Sequence, residues 1–218
     1  MSTDARILVV NPNSNEAVTA GLAEALAGYA LAGGPRIDCM TLAEGPFNIE
    51  TQADIESVVL PLARLVAREK PTATVIACFS DPGVQVCREA TRAPVFGMRE
   101  AGILAALARA DRFGIIAVQT RSIRRHLRAV REIGVGERLA GDRALEITVA
   151  QAASDTGAFA RLVEVGRTLR DVDGAEALVL GCAGMARHRA PLEAELGVPV
   201  IDPVQAAVGM ALAAVLAR

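Results

Sequence analysis

The chain has 218 residues, of which 52% are hydrophobic and only 3% are aromatic. This length supports a sizeable apolar core, and the high apolar content excludes a disordered chain. The 23 basic and 25 acidic side chains give a net charge of −2, so the composition provides no electrostatic basis for nucleic-acid binding. Ala, Val, Leu and Ile supply most of the apolar content, which favours helices packed on parallel sheets.

The N-terminal residues MSTDARILVV lack the basic and long apolar segments of a secretory signal, and no apolar run is long enough to span a bilayer. We therefore expect a cytoplasmic protein without a membrane partner. There are only two histidines, and the cysteines lack CxxC spacing, which predicts neither disulfides nor a zinc site in a reducing compartment. Each cysteine is then a buried apolar residue or a reactive thiol: Cys39, Cys78, Cys87 and Cys182.

The first half of the chain alternates strand-like and helix-like segments. Short β-rich runs predict strands at residues 6–11, 36–42, 72–78 and 93–97. Helical patterns cover residues 16–30, 51–69 and 99–110. In the second of these helices, Thr51 is the expected N-cap and Pro61 the expected point of kinking or division.

The second half repeats this alternation. Strands are predicted at residues 112–120, 144–150, 176–182 and 198–202, and helices at residues 121–134, 155–172 and 203–217. The basic segment 121–131 is expected to form a solvated helix face. The regular alternation predicts an α/β fold in which parallel sheets are flanked by helices on both faces.

Three segments of the first half return in the second half, in the same order. RILVVNPNSN from Arg6 resembles RFGIIAVQTR from Arg112, 106 residues later. TVIACFSDPG resembles LVLGCAGMAR, with Cys182 104 residues after Cys78, and APVFGMREAGILAAL resembles VPVIDPVQAAVGMAL at an offset of 105. We interpret these near-equal offsets as an internal duplication that produces two pseudo-symmetric α/β lobes facing each other.

Ligands of open parallel sheets bind beyond the carboxyl ends of the strands. We expect those ends to face a cleft between the lobes, with Cys78 and Cys182 on opposite walls. One thiolate then removes a proton from one face of a carbon, and the other thiol delivers a proton to the opposite face, which inverts the carbon. Both cysteines precede expected helix starts, which lower thiol pKa values. Nearby backbone N–H groups are candidates for stabilising a thiolate or an enolate oxygen: Phe79, Ser80, Ala183 and Gly184.

A single cysteine at the end of a buried strand is most often inert packing. The matching of Cys78 with Cys182 at the repeat offset is what favours catalysis for both. Cys39 and Cys87 have no counterpart in the other half, and we interpret both as structural.

Three other polar positions have both a structural and a functional interpretation. We expect Asn11 to bind substrate rather than only cap a turn, because polar residues Gln119 and Thr120 follow the corresponding strand. Asp81, in an Asp-Pro-Gly sequence, is interpreted as a turn residue. His188 lies among arginines and is expected to be exposed rather than to assist Cys182.

These motifs resemble the aspartate/glutamate racemase superfamily, and within it the hydantoin racemase branch, which includes allantoin racemases. The likeness covers almost the whole chain: ILVVNPNSNEAVT, EGPFNIETQADIES, IACFSDPG and VLGCAGMA look like successive motifs of that branch. It implies an isomerase that racemises without a cofactor or a metal, through Cys78 and Cys182. It also implies that the last helix packs on the first lobe, so that residues 1–97 with 203–218 form one lobe and residues 98–202 the other.

The resemblance also assigns substrate-binding positions: Asn11, Pro12, Phe79, Ser80, Gln119, Thr120, Ala183 and Gly184. In the amino-acid racemases of the superfamily, polar Asn and Thr residues follow the cysteines and hold ammonium and carboxylate groups. Phe79-Ser80 and Ala183-Gly184 take those places here, which favours a neutral cyclic substrate, a hydantoin or a ureide such as allantoin. An apolar helical surface favours a homo-oligomer.

The segments VFGMREAG and AVQTRS depart from the pattern of the branch. Arg99 in the first segment is expected at the surface, the alternative being that it faces the cleft and selects an anionic group. Two other functions remain open at this point. One is an isomerase or decarboxylase of the same superfamily that uses a single cysteine, and the other is a non-enzymatic two-lobed ligand-binding protein.

Overall fold

The structure, a computed structural model, describes residues 5–152 and 157–217, with the backbone alone at 149–150. The chain divides into two compact units. Unit 1 comprises Met1–Ala101 with Val204–Arg218, and unit 2 comprises Gly102–Pro203. The lobe boundaries expected from the sequence, 97/98 and 202/203, stay a prediction. The expected helix start at residue 155 lies outside the described residues.

The described residues form two parallel sheets and their flanking helices. The strands are β1 (Arg6–Asn11), β2 (Arg36–Thr41), β3 (Ala73–Ile76), β4 (Val95–Gly97), β5 (Phe113–Ala117), β6 (Leu139–Ala144), β7 (Ala177–Leu180) and β8 (Val200–Ile201). The helices are α1 (Glu16–Leu26), α2 (Gln52–Ser57), α3 (Val59–Glu69), α4 (Val84–Ala90), α5 (Met98–Leu107), α6 (Thr120–Glu132), α7 (Val149–Ala152), α8 (Ala158–Asp171), α9 (Arg189–Leu196) and α10 (Pro203–Leu216). Short 3-10 helices occur at Ala27–Tyr29, Gly136–Arg138 and Ala183–His188.

The two sheets have the same strand order, and their central strand pairs have the same register. The first sheet runs β2-β1-β3-β4 and the second β6-β5-β7-β8, and all pairs are parallel. Val10 pairs with Ile76 in the first sheet, and Ile116 pairs with Leu180 in the second. Val10 and Ile116 are 106 residues apart along the chain and Ile76 and Leu180 are 104 residues apart, which are the offsets of the sequence repeat. The predicted α/β fold with two similar parallel sheets is confirmed.

The central strands lie in the core of each unit, where they are buried on both faces. Every residue of β3, β5 and β7 is buried, as parallel strands covered by helices require. Each sheet packs on amphipathic helices, among them α3, which turns Leu62 and Val66 inward. This burial explains why the central strands are recognisable from sequence as continuous apolar runs.

The long helix expected at residues 51–69 is two helices. Thr51 caps α2 as predicted, and its hydroxyl accepts the N–H of Asp54 while the Asp54 carboxylate accepts the N–H of Thr51. The division falls at Val58, three residues before Pro61. Pro61 therefore lies in the first turn of α3, where a missing N–H leaves no helical hydrogen bond unmade.

The strand expected at residues 144–150 is wrong. The strand of this region is β6, and only Ala144 is shared with the prediction. The alternating residues of ALEITVA suggested a strand, whereas β6 is an edge strand whose residues are all half-buried. It contains Gly141, Asp142 and Arg143, a composition that hydrophobic periodicity does not detect.

Candidate active site

In unit 1, the carboxyl end of the sheet collects the first group of predicted site residues. β1 ends at Asn11 and β3 at Ile76, and the N–H of Ala77 donates to the Val10 carbonyl at 2.8 Å. Cys78 therefore stands two residues beyond the last paired residue of β3. The strand ends bring together Asn11, Pro12, Cys78, Phe79 and Ser80.

The Cys78 loop, residues 78–83, begins with a tight turn. The N–H of Asp81 donates to the Cys78 carbonyl at 2.9 Å, and α4 begins only after Gly83, whose φ is +65°. Cys78 is half-buried and the ring of Phe79 is buried. The expectation that a helix starts directly after Cys78 is wrong, because Asp81 takes a left-handed backbone conformation, with φ +48°, that interrupts helical propagation.

The Asp81 side chain caps a helix from a different segment. Its Oδ1 accepts the N–H of Arg99 at 2.9 Å, and its Oδ2 accepts the N–H of Glu100 at 3.0 Å, both in the first turn of α5. Burial raises the pKa of the Asp81 carboxyl, and the Arg99 guanidinium and the two N–H groups oppose that rise. The turn assignment from sequence is supported, but the capping of α5 could not be inferred from local pattern.

Arg99 is not the surface residue expected from sequence. Its side chain is only 18% exposed, and its Nη1 donates to the Ser80 carbonyl at 3.1 Å. Its Nε lies 3.8 Å from Asp81 Oδ2. The expectation fails because the Cys78 loop folds back over the N-terminus of α5 and provides both an acceptor and a counter-charge.

The Asn11 side chain is buried and strongly engaged within its own loop. Its Nδ2 contacts Asn13 Oδ1 at 2.9 Å, the Asn15 carbonyl at 3.1 Å and Thr19 Oγ1 at 3.0 Å. Pro12 beside it is also buried. These bonds explain how the NPNSN segment is shaped. Substrate binding by Asn11 and Pro12 stays a prediction.

Asn11 and Gln119 are not at equivalent positions of the two sheets, although the sequence comparison matched them. The N–H of Leu42 donates to the Asn11 carbonyl, and in unit 2 the N–H of Leu145 donates to the Ala117 carbonyl in the same way. Ala117 is therefore the counterpart of Asn11. Gln119 precedes α6 as the N-cap, and the loop after β1 is two residues longer than the loop after β5.

In unit 2, Cys182 stands two residues beyond the last paired residue of β7, as Cys78 does in unit 1. The N–H of Gly181 donates to the Ile116 carbonyl at 2.9 Å, the counterpart of the bond made by Ala77. Cys182 has an extended backbone and is the N-cap of the 3-10 helix Ala183–His188. The predicted helix start after Cys182 is thus supported.

The Cys182 thiol has a raised pKa. Burial is the largest cause, the negative charge of Asp202 adds to it, and a hydrogen bond from the N–H of Gly184 opposes both. Asp202 is itself buried and directly follows β8. Burial and the Asp202 charge therefore favour the thiol of Cys182 over its thiolate. Sequence reasoning missed Asp202, although the strand-end rule applied to β8 selects it.

The other predicted positions of unit 2 lie at the same sheet edge. Gln119 is half-buried and its Nε2 donates to the Ile147 carbonyl at 3.4 Å. Thr120 is exposed and its hydroxyl donates to the Glu146 carboxylate. Ala183 is buried. Their binding roles stay predictions, as do those of Phe79, Ser80 and Gly184.

Both histidines are buried, which corrects the expectation of an exposed His188. The His188 ring stacks on Phe159 with centroids 6.2 Å apart, because the 3-10 helix turns it into the unit 2 interior. His126 Nδ1 lies 2.8 Å from Asp142 Oδ2, and both side chains are almost fully buried. The sequence signal for His126 was its spacing of three and four residues from the buried Ala129 and Val130.

The remaining two cysteines have environments that keep them protonated. Burial raises the pKa of Cys87 to about 11. Burial, with a smaller effect of Asp38, raises the pKa of Cys39 to about 11. Their structural interpretation is consistent with these values.

Across residues 5–152 and 157–217, no group of three or more His, Cys, Asp or Glu side chains is placed to hold a metal ion. Over the same ranges, no helix is long and apolar enough to cross a membrane.

Comparisons with known proteins agree with this arrangement. The family model for Asp/Glu/hydantoin racemases matches residues 7–211. A hydantoin racemase of Paenarthrobacter aurescens is 40% identical over 208 residues, covering 93% of this chain and 87% of its own. A hydantoin racemase of Pseudomonas sp. (strain NS671) is 35% identical over 211 residues, covering 94% and 84%. The solved allantoin racemase from Klebsiella pneumoniae superposes with a TM-score of 0.93 at 32% identity, covering 98% of this chain and 89% of its own. The chain therefore belongs to the Asp/Glu/hydantoin racemase family, in its hydantoin and allantoin racemase branch, and it is an isomerase.

Proposed function

We propose that the chain racemises 5-substituted hydantoins or allantoin by proton transfer between two cysteines, Cys78 and Cys182, without a cofactor. The observation that carries this proposal is the equivalent placement of the two thiols. Cys78 follows β3 and Cys182 follows β7 by two residues, and these two strands hold the same place in sheets of one strand order, with the same register in the central pairs. Each also accepts, through its carbonyl, the N–H of the residue three positions later.

The chemistry balances as a pair of proton transfers. A thiolate forms an S–H bond as the substrate C–H bond breaks, and the electron pair moves into the neighbouring carbonyl as an enolate. The second thiol then loses its proton to the opposite face of the same carbon. The two sulfurs finish with their protonation states exchanged, so the enzyme is ready for the opposite enantiomer. The raised pKa of Cys182 favours its thiol form, so Cys182 is the donor in the direction in which Cys78 starts as the thiolate.

The charges beside Cys78 favour a neutral substrate. An amino acid needs a carboxylate for its ammonium group and a cation for its carboxylate. In the Cys78 loop the charged side chain is Asp81, which is committed to the first turn of α5. Arg99 is the adjacent cation, and it is bound to the Ser80 carbonyl and beside Asp81. A hydantoin or ureide ring presents carbonyl oxygens and N–H groups, which need no compensating charge.

A second candidate is an isomerase that uses one cysteine as its sole acid. The observation that favours it is the difference between the two loops, since a 3-10 helix starts directly after Cys182 but no helix starts directly after Cys78. The non-enzymatic alternative is set aside because the chain is an isomerase.

The test follows both enantiomers of allantoin and of 5-benzylhydantoin in D₂O, by circular dichroism for inversion and by NMR for deuterium at the reacting carbon. The enzyme-free rate is subtracted, because these carbons exchange slowly without protein. Racemisation should insert deuterium into the product enantiomer. L-Aspartate serves as the charged comparison and should remain unchanged. Absence of inversion with every ring substrate would refute the proposal.

Cysteine variants separate the two candidates. Cys78→Ser and Cys182→Ser should each lower racemisation by about 10²–10⁴-fold, the usual worth of a positioned acid or base. Enantiomers have equal free energies, so kcat/KM must fall equally in both directions. Each variant should nevertheless retain deuterium exchange for the one enantiomer whose proton the remaining cysteine removes. Cys39→Ser, on β2, is the matched control and should keep activity.

Four further expectations belong to this proposal. Cofactor independence predicts that exhaustive dialysis against EDTA leaves activity unchanged. A homo-oligomer is supported by exposed apolar side chains on helices, Leu60 on α3 and Leu104 on α5, and sedimentation velocity measures its size. The proposal also includes a cleft that brings both cysteines to one substrate. It further includes a cytoplasmic location. Cross-linking of Cys78 to Cys182 by a short bis-maleimide tests the cleft.

A further inference from the structure

We propose that Asp81 and Arg99 are positioning residues that hold the Cys78 loop against the N-terminus of α5 and thereby aim the Cys78 thiol. This inference rests on the proposed function, because it presumes that Cys78 transfers a proton. Neither residue is assigned to contact the substrate.

The first contact is a helix cap supplied by a distant segment. Gly97 occupies the position before α5 and has no side chain to cap it. The Asp81 carboxylate replaces that missing cap by accepting the N–H groups of Arg99 and Glu100 at 2.9 and 3.0 Å. Because both carboxylate oxygens are used, the carboxylate is fixed in direction as well as in position.

Gly97 is needed for this contact to form. A Cβ atom at position 97 would lie 2.4–2.6 Å from the Cγ and both oxygens of the Asp81 carboxylate. Such distances are far inside van der Waals contact. Glycine at the end of β4 therefore makes room for a carboxylate that arrives from the Cys78 loop.

The second contact runs in the opposite direction, from α5 back to the loop. Arg99 Nη1 donates to the Ser80 carbonyl at 3.1 Å, and its Nε lies 3.8 Å from Asp81 Oδ2. The loop is thus held at two successive residues, Ser80 and Asp81. The Asp81 N–H in turn donates to the Cys78 carbonyl at 2.9 Å, which connects this anchoring to the cysteine itself.

Such anchoring matters because Cys78 lies in a turn. The turn at Cys182 continues as the 3-10 helix Ala183–His188, whereas the left-handed residue Asp81 ends regular structure after the turn at Cys78. Proton transfer requires the donor and acceptor atoms at hydrogen-bonding distance, and a displacement of about 1 Å costs about 100-fold in rate. The charge of Arg99 is also balanced by Asp81, which leaves it unsuited to selecting an anionic substrate.

The test compares Asp81→Asn, Arg99→Met and Arg99→Lys with the parent enzyme and with Cys78→Ser. Asparagine keeps the shape of Asp81 but offers one acceptor oxygen in place of two. Asp81→Asn and Arg99→Met should lower kcat for racemisation by about 10–100-fold with little change in KM. Arg99→Lys keeps the charge beside Asp81 and should recover part of that loss.

The informative readout is one-sided deuterium exchange. Asp81→Asn should lose exchange mainly for the enantiomer whose exchange Cys78→Ser abolishes, and should keep exchange of the other enantiomer within about twofold of the parent. A merely structural role would lower exchange of both enantiomers equally. Equal loss on both sides, or no loss, overturns the inference.

Two controls keep this outcome distinct from misfolding and from failure of the proposed function. Asp54→Asn changes another carboxylate of unit 1 that accepts two backbone N–H groups, those of Glu50 and Thr51 before α2, and it should leave the exchange ratio unchanged. If Asp81→Asn does not fold, Arg99→Met decides, because it leaves the Asp81 cap intact. If Cys78→Ser does not lose deuterium exchange for one enantiomer only, the two-cysteine function is refuted. If Cys78→Ser shows this one-sided loss but the Asp81 and Arg99 variants do not, only the positioning role is refuted.

Discussion

The segments that follow Cys78 and Cys182 start alike and then diverge. Each cysteine follows its strand by two residues and closes a turn onto the N–H three residues later, from Asp81 in one unit and Met185 in the other. After that turn, Asp81 of unit 1 takes a left-handed backbone conformation, whereas the chain of unit 2 continues as a 3-10 helix. The difference shows that the duplicated sheet determines where each thiol stands, while the following residues determine how it is held.

The carboxylates beside these loops show the same principle. α5 and α10 follow β4 and β8, and each has an aspartate associated with its start. Asp202 directly precedes α10 in sequence, whereas Gly97 takes that position before α5 and Asp81 supplies the carboxylate from the Cys78 loop. One charge thus raises the pKa of Cys182 and the other anchors the Cys78 loop. Two equivalent sheets thereby give their cysteines unequal surroundings.

The largest expected effect concerns a buried pair in unit 2, His126 and Asp142, that has no equivalent in unit 1. The seventh residue of α6 is His126, which contacts Asp142, and the matching residues of unit 1 are Leu22 and Cys39. His126→Leu leaves the buried Asp142 side chain without this hydrogen-bond partner and should lower the free energy of unfolding by about 3 kcal/mol. The double change His126→Leu with Asp142→Cys, which installs the unit 1 residues, should recover most of that loss. Urea unfolding measures both, and an equally unstable double variant would contradict the equivalence.

The next effect concerns Cys87, whose pKa rises to about 11 because it is buried in unit 1. In the unfolded chain this thiol ionises near its ordinary value of 9.0, whereas in the folded chain it stays protonated to about 11. The stability that it contributes is therefore complete below pH 9 and is lost as the pH rises toward 11, by about 2–3 kcal/mol. Urea unfolding of the parent and of Cys87→Ala at pH 8 and pH 10.5 measures it, and the variant should lose less stability between the two pH values.

A third prediction sharpens the contrast between Gly97 and its counterpart Asp202. Gly97→Ala places a Cβ against the Asp81 carboxylate and should cost about 1–3 kcal/mol of stability, the usual range for overpacking. It should also lower racemisation together with the Asp81 contact. Gly21→Ala, inside α1 with open space around its Cβ, is the matched control and should raise the free energy of unfolding by up to about 1 kcal/mol. A Gly97→Ala variant as stable and active as the parent would show that the carboxylate does not need this space.

The smallest effect is electrostatic. Asp202→Asn removes a negative charge that raises the pKa of Cys182, so the pKa should fall and thiolate should form at lower pH. Iodoacetamide alkylation of Cys182, followed by mass spectrometry from pH 7 to 10, should proceed several-fold faster in the variant at fixed pH. The matched change Asp173→Asn, at an ion pair with Arg143 in the same unit, should not alter the rate. An unchanged rate in Asp202→Asn would remove Asp202 from the account of Cys182.

The sequence by itself determined the two parallel sheets, the duplication and the positions of both cysteines after β3 and β7. These features are encoded locally, because a buried parallel strand is a continuous apolar run and a repeated strand end repeats its residues. Edge strand β6 escaped this reasoning because its half-buried residues carry no apolar periodicity.

Only the tertiary structure decided the partners of the polar side chains. Asp81 caps a helix that starts 17 residues later, Arg99 reaches the carbonyl of Ser80, and His188 turns inward onto Phe159. Local sequence predicts that a carboxylate, a guanidinium or an imidazole must find a partner when it is buried. Which partner it finds depends on how separate segments pack, and that packing gave two cysteines of one origin different surroundings.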